Sequence, residues 1–203
     1  MEFDEVVRLR RMVRNYADDP VDGELLDRIL DRAQRAPSAG FSQGVSFVVV
    51  TDEERRAEIA RLGHEDEYLA DGFDPWISRA PVHVVICVSM DAYLERYREE
   101  DKGGPDGRTA SEEGWPIPYW WVDAGASMML LLLAVVDEGL AAGFLGSHNL
   151  GELSTLLDIP DHVAPIGVVT IGHAAGDRRS GSLARGRRSD AIHREHWEAP
   201  AGD

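Results

Sequence analysis

Cysteine is nearly absent, with only Cys87 in 203 residues. One thiol excludes an internal disulfide and a cysteine-rich zinc site, and it fits a reducing cytosol. Positive charge is also scarce, with 21 Lys and Arg against 37 Asp and Glu, a formal net charge of −16. Such a surface repels phosphate backbones and anionic lipid, so no nucleic-acid or membrane partner is expected. The longest apolar run, Ala124 to Val136, is shorter than the ~20 residues needed to cross a bilayer. The first twenty residues lack a signal-peptide core. No Walker A loop and no G-x-G-x-x-G after a strand are present, and Ser38 lies in P-S-A-G rather than in a hydrolase elbow. A dedicated dinucleotide-binding domain is therefore not expected. The remaining class is an acidic, soluble, cytoplasmic globular protein, with residues 1–203 forming one domain.

Periodicity gives the elements. Phe3 to Leu9 predicts a helix, and Leu25, Leu26, Ile29, Leu30 and Ala33 predict a second from Gly23 to Arg35. Asp22 suits its N-cap and Pro37 ends it. Val45 to Val50 reads as a strand, and Thr51 or Asp52 caps a helix through Leu62. Val82 to Ser89 does not alternate, which predicts a strand buried on both faces. Residues 99–118 are rich in Gly, Pro and charge and read as a long surface excursion, so a lid or insertion is expected at 99–121. Asp123 to Gly139 has no polar stripe, which predicts a helix buried all round, capped by Asp123 and closed by a left-handed Gly139. A partner subunit or the monomer core could surround it. A helix from Leu150 to Leu157 and a strand from Ile166 to Gly172 complete an α+β, three-layer α/β/α arrangement.

The positive charge is concentrated. Arg8, Arg10, Arg11 and Arg14 lie near one end, and Arg178, Arg179, Arg185, Arg187 and Arg188 near the other. Guanidinium forks suit phosphate or carboxylate, so two such segments could converge on one small anion. Solvated faces paired with the many carboxylates are the plainer alternative. His193 and His196 have no third ligand at a telling spacing, so no metal site is expected, and Cys87 in mid-strand reads as an inert core residue.

Five segments in order carry a resemblance. Arg10, Arg11, Met12, Arg14 and Tyr16 fit an R-R-S-x-R-x-F/Y signature. Residues 36–43, APSAGFSQ, fit A-P-S-x-x-N-x-Q before a strand. The apolar helix with its glycine-rich exit at 137–144, the strand at 166–173 and the tail around Arg185 to Arg188 follow. Together they resemble the FMN-dependent nitroreductase family across nearly the whole chain.

The resemblance implies an α+β homodimer with a mostly antiparallel sheet, a central helix at the dimer interface, and FMN bound between subunits. It implies that Arg10, Arg11, Arg185 and Arg187 hold the FMN phosphate, with Met12 beside them and Arg14 near the pyrimidine edge of the flavin. Pro37, Ser38 and Ala39 match a loop that meets the flavin from the partner, and Gln43 matches a residue near the ribityl chain. Leu145, Gly146 and Ser147 match a turn whose backbone N–H, at Gly146, points at flavin N5. Phe41, Trp120 and His148 would line the substrate pocket. The aromatic group Trp115, Tyr119, Trp120 and Trp121 is either a wall over the flavin or packing. The implied activity is hydride transfer from NAD(P)H, a transient donor, to a small nitroaromatic or quinone-like acceptor. A flavin-sequestering protein and a deazaflavin-linked reductase are the alternatives. Met12 replaces the usual serine, Phe41 the usual asparagine and Gly44 the usual proline. Flavin-cleaving relatives carry an aspartate where Met12 stands, so that chemistry is not expected.

Overall fold

The computed structural model describes residues 1–146, 150–176, 181–188 and 190–197. Four strands form one antiparallel sheet in the order β1 (Val45–Val50), β2 (Val82–Ser89), β4 (Val163–Gly172), β3 (Ala141–Leu145). Residues alternate between faces along a strand. Val82, Val84 and Ile86 of β2 therefore join Leu131 and Leu132 beneath helices α2 (Gly23–Ala33) and α7 (Tyr119–Asp137). Val85 and Cys87 join Ile59, Leu62, Trp76 and Leu153 on the opposite face, under α3 (Glu53–Leu62), α5 (Trp76–Arg79) and α8 (Leu150–Leu156). β2 is covered on both sides, as its lack of alternation predicts, and the three-layer α+β arrangement is present. Helices α1 (Phe3–Leu9), α4 (Glu65–Ala70) and α6 (Met90–Tyr97) complete the set among the described residues.

The caps expected at Asp22 and Asp52 form, with their carboxylates accepting from the amides of Leu25 and Arg55. Gly139 has the expected left-handed φ of 78°. Several expectations are corrected. α2 ends at Ala33, before Arg35. α7 starts at Tyr119 after Pro118, so Asp123 lies in its second turn and is no cap. α7 is not buried all round either, because Trp121, Val122 and Met129 are exposed along one stripe. It is long and apolar enough to cross a membrane by composition, yet it packs on α2 and β2 with 50% of its most apolar window buried. β3 was expected only as a turn, and α4, α5 and α6 were not expected. These elements are short or carry no apolar period of their own, and β3 is stabilised by pairing with β4.

Residues 99–118 hold three single 3-10 turns and no strand. They fold back on α6 and α7. Trp115 packs against Tyr97 at 4.6 Å and donates its indole N–H to the Thr109 carbonyl at 2.9 Å.

Candidate functional site

Residues 10–16 run beside the free edge of β3. Met12 bridges Ala142 in parallel, and the Val13 amide donates to the Ala142 carbonyl at 2.9 Å. The approach needs a glycine, since a Cβ on Gly143 would sit 2.6 Å from the Val13 carbonyl oxygen. Tyr16 is buried and its hydroxyl lies 2.7 Å from Thr170 Oγ1, which fastens the segment to β4. Arg10, Arg11 and Arg14 are left half-exposed along this edge, and Met12 is exposed. The Arg14 guanidinium lies over the rings of Phe73 and Trp76, 5.4 and 5.8 Å from their centroids.

β3 and the arginine segment advance in the same direction, so Leu145 and Gly146 emerge at the Arg14 end. They line a cavity of about 250 Å3 with Gly63, His64, Glu67, Tyr68 and Asp71. Tyr68 packs edge-on to Trp76 at 5.6 Å, which links that cavity to the Arg14 stack. Gly146 is exposed, and among the described residues a Cβ there would meet only Phe144, at 3.8 Å, so from their side its backbone is open to close approach. Ser147 and His148 lie outside the described residues.

The tail leaves β4 at the same place. The Ala17 amide donates to the His173 carbonyl, the Ala175 amide to the Asn15 carbonyl, and Asn15 Nδ2 to the Gly176 carbonyl at 2.8 Å. The start of the tail is thus tied to the first arginine motif. Arg178 and Arg179 lie outside the described residues, and Arg185 and Arg187 are exposed beyond them.

Pro37, Ser38 and Gln43 are elsewhere. With Gln34, Ala36, Val45, Phe47 and Ser127 they line a second cavity of about 210 Å3 against β1. From residues 12–13 across β3, β4 and β2 to β1 is four strand spacings, about 19 Å at ~4.8 Å each. The residues expected around one flavin thus form two groups at opposite edges of one sheet.

The turn carrying the second group is unusually constrained. Gly40, Phe41 and Gln43 have φ of 62°, 58° and 52°, and the left-handed region is costly for the two that carry a Cβ. The Gln43 amide donates to Ser38 Oγ at 3.0 Å. The Ala39 amide donates to the buried Asp123 carboxylate at 2.8 Å, and the Tyr93 hydroxyl donates to the same oxygen at 2.9 Å. Burial and then Asp123 push the Tyr93 phenol above its ordinary value, so it stays protonated. Phe41 projects from this turn, 74% exposed.

Trp120 is a correction in position: with Trp115 it is buried in a cluster with Tyr93, so packing accounts for both, while Tyr119 and Trp121 face outward. Cys87 is buried, and burial pushes its thiol up to about 11, as its inert reading expects. His193 stacks on Trp197 at 4.3 Å. The sequence reading missed Phe73 and Trp76 beneath Arg14, Gly63 to Asp71 around the Gly146 cavity, and the anchoring role of Asp123. Only an aromatic group before β2 signalled the first of these.

The donor set suits FMN: guanidiniums for a phosphate, and an open backbone at Gly146 for a ring edge. The nitroreductase family model matches residues 7–173. The chain is 31% identical over 173 residues to an NAD(P)H FMN reductase of Bacillus subtilis (strain 168), covering 81% of this chain and 63% of that protein's length. Among solved structures it superposes on the hypothetical oxidoreductase YcnD from Bacillus subtilis with a TM-score of 0.76 and 28% identity, covering 98% of this chain and 76% of that one. NfrA1 of B. megaterium matches with the same TM-score and coverages at 26% identity.

Proposed function

The chain belongs to the nitroreductase family, and from that premise we propose that it is an FMN-dependent NAD(P)H oxidoreductase whose FMN sites lie between two copies of the chain. The observation that carries this is the separation of the two groups. The arginine segment with Leu145 and Gly146, and the turn with Pro37 and Ser38, stand at opposite edges of one sheet. A two-fold partner brings the turn of one copy to the arginine edge of the other, twice over. The exposed stripe of Trp121, Val122 and Met129 on α7, with Phe41 on the turn, supplies apolar surface for that contact.

In this reading Arg10 and Arg11, with Arg185 and Arg187 from the tail, hold the phosphate. Arg14, steadied on Phe73 and Trp76, places a fixed cation at the pyrimidine edge, where reduction builds negative charge. The Gly146 N–H would be the donor toward N5. FMN held by these residues would supply the redox chemistry, a hydride transfer from NAD(P)H to an electron-poor acceptor such as a nitroaromatic or a quinone. Among the chain's own groups the work is binding, orientation and electrostatic tuning, and the reading needs no side-chain acid or base. A cytoplasmic setting goes with a reduced nicotinamide donor and a single buried cysteine.

Titration of the purified chain with FMN, with mass followed by light scattering, tests this. The reading requires about two FMN per dimer, released when Arg10 and Arg187 are both changed to Ala. A monomer that binds FMN as tightly would overturn the shared site.

A further inference from the structure

Arg96, at the end of α6, makes a set of contacts that the flavin reading does not use. Its Nε donates to the Gly40 carbonyl at 2.9 Å, across 56 residues. Its two terminal nitrogens grip both Asp101 oxygens at 2.7 Å, and Nη1 also reaches Glu99 at 3.0 Å. Arg96 is 22% exposed, so one side chain joins the start of the 99–118 excursion to the 38–43 turn. The same turn is pressed from below, because a Cβ on Gly40 would lie 2.7 Å from the Tyr97 ring. Tyr97 is held in turn by Trp115 at 4.6 Å, and Lys102 Nζ lies over its ring at 5.6 Å from the centroid.

A turn with two non-glycine residues at positive φ does not hold that shape unaided, and surrounding contacts must over-determine it. The contacts that do so come from two places. Asp123 takes the Ala39 amide, and the Arg96–Asp101 fork takes the Gly40 carbonyl. We infer that the excursion is a brace: Asp101, through Arg96, fixes the 38–43 turn in the shape that the partner's flavin needs, so that Arg96 and Asp101 are positioning residues for FMN binding. This rests on the flavin reading above. A planar fork gripping a carboxylate in two places is the arrangement that transmits orientation as well as charge. In this role the excursion is preorganised before any ligand arrives, and ligand binding does not have to order it.

Asp101 is the place to test it, since its side chain is 60% exposed and lies in no core cluster, so its loss does not threaten folding. FMN dissociation constants are measured by fluorescence titration for the full-length wild type, Asp101→Asn, Arg96→Ala, Arg96→Ala with Asp101→Asn, and Asp31→Asn. The last removes the exposed i,i+4 Arg35–Asp31 pair at the end of α2, a surface ion pair of the same kind. Amide hydrogen exchange at residues 40–43 is followed in parallel. The brace predicts about 3-fold weaker FMN for Asp101→Asn and about 10-fold for Arg96→Ala. The double variant should be no weaker than Arg96→Ala, exchange at 40–43 should be faster, and Asp31→Asn should be unchanged. Asp101→Glu should recover most of the affinity, which a loss of general stability would not explain. Should Arg96→Ala fail to fold, Asp101→Asn alone decides. Wild-type FMN affinity and wild-type exchange in Asp101→Asn would overturn the brace while leaving the flavin reading intact. A wild type that takes up no FMN would remove both.

Discussion

Asp123 accepts a hydrogen bond from the Ala39 amide, 84 residues earlier in the chain, at 2.8 Å. The same oxygen accepts from Tyr93, so one buried carboxylate ties α7 and α6 to the turn that carries Pro37 and Ser38. Changing Asp123 to Ala strands both donors. The expected loss is about 2–6 kcal/mol of folding stability, since each of the two orphaned donors costs about 1–3 kcal/mol. Denaturant unfolding checks the loss, and FMN titration of the folded fraction should show weaker binding.

A second expectation concerns Gly143. The Cβ of Gly143→Ala would press on the Val13 carbonyl, Thr170 Oγ1 and Trp76 at once, at 2.6, 2.9 and 2.9 Å. Overpacking of this kind costs about 1–3 kcal/mol, and here it pushes away the segment bearing Arg10, Arg11 and Arg14. Loss of FMN affinity at a modest fall in melting temperature is the expected result. Unchanged affinity would separate the arginine edge from the flavin.

Acid should act through His83. It is wholly buried, Nε2 lies 2.7 Å from the Ile77 carbonyl oxygen, and burial lowers its value from 6.5 to about 4. The folded value is depressed, so as pH falls below 6.5 the unfolded chain takes up a proton that the folded one refuses. Stability is therefore lost between about pH 6.5 and 4 and this contribution is flat above that window, amounting to about 3 kcal/mol. Urea midpoints measured across that range for wild type and His83→Gln should converge toward acid, because the variant lacks this slope. Parallel curves would exclude His83 as the cause.

Strands β1, β2 and β4 and the caps at Asp22 and Asp52 were legible in the sequence, because β1 and β2 are rich in β-branched residues without alternation and the two aspartates precede good helical turns. The Arg10–Tyr16 and 36–43 segments were legible as motifs. Their separation was not, since it follows from the strand order β1-β2-β4-β3, which no local pattern encodes. The start of α7 was misplaced because Asp123 has the residue type of a cap, while its actual partners come from 30 and 84 residues away. Arg96 gave no signal at all: its partners are a backbone carbonyl and two surface carboxylates, Glu99 and Asp101.

A composite site also makes a prediction about mixtures. Arg10→Ala with Arg187→Ala spoils the arginine edge, and Gly40→Val spoils the turn through its φ of 62° and the Tyr97 ring. Each homodimer should bind FMN poorly. A purified heterodimer of the two has one intact site, and it should bind about one FMN per dimer. No recovery in the heterodimer would place both groups in the same chain's site.

The most direct measurement is anaerobic titration of the FMN-loaded protein with NADH and with NADPH, following the flavin absorbance. The account predicts bleaching by about one equivalent of at least one donor per flavin, and return of the colour when a quinone or nitroaromatic is added. A bound flavin that stays oxidised with both donors would contradict it and point to sequestration or to another reductant.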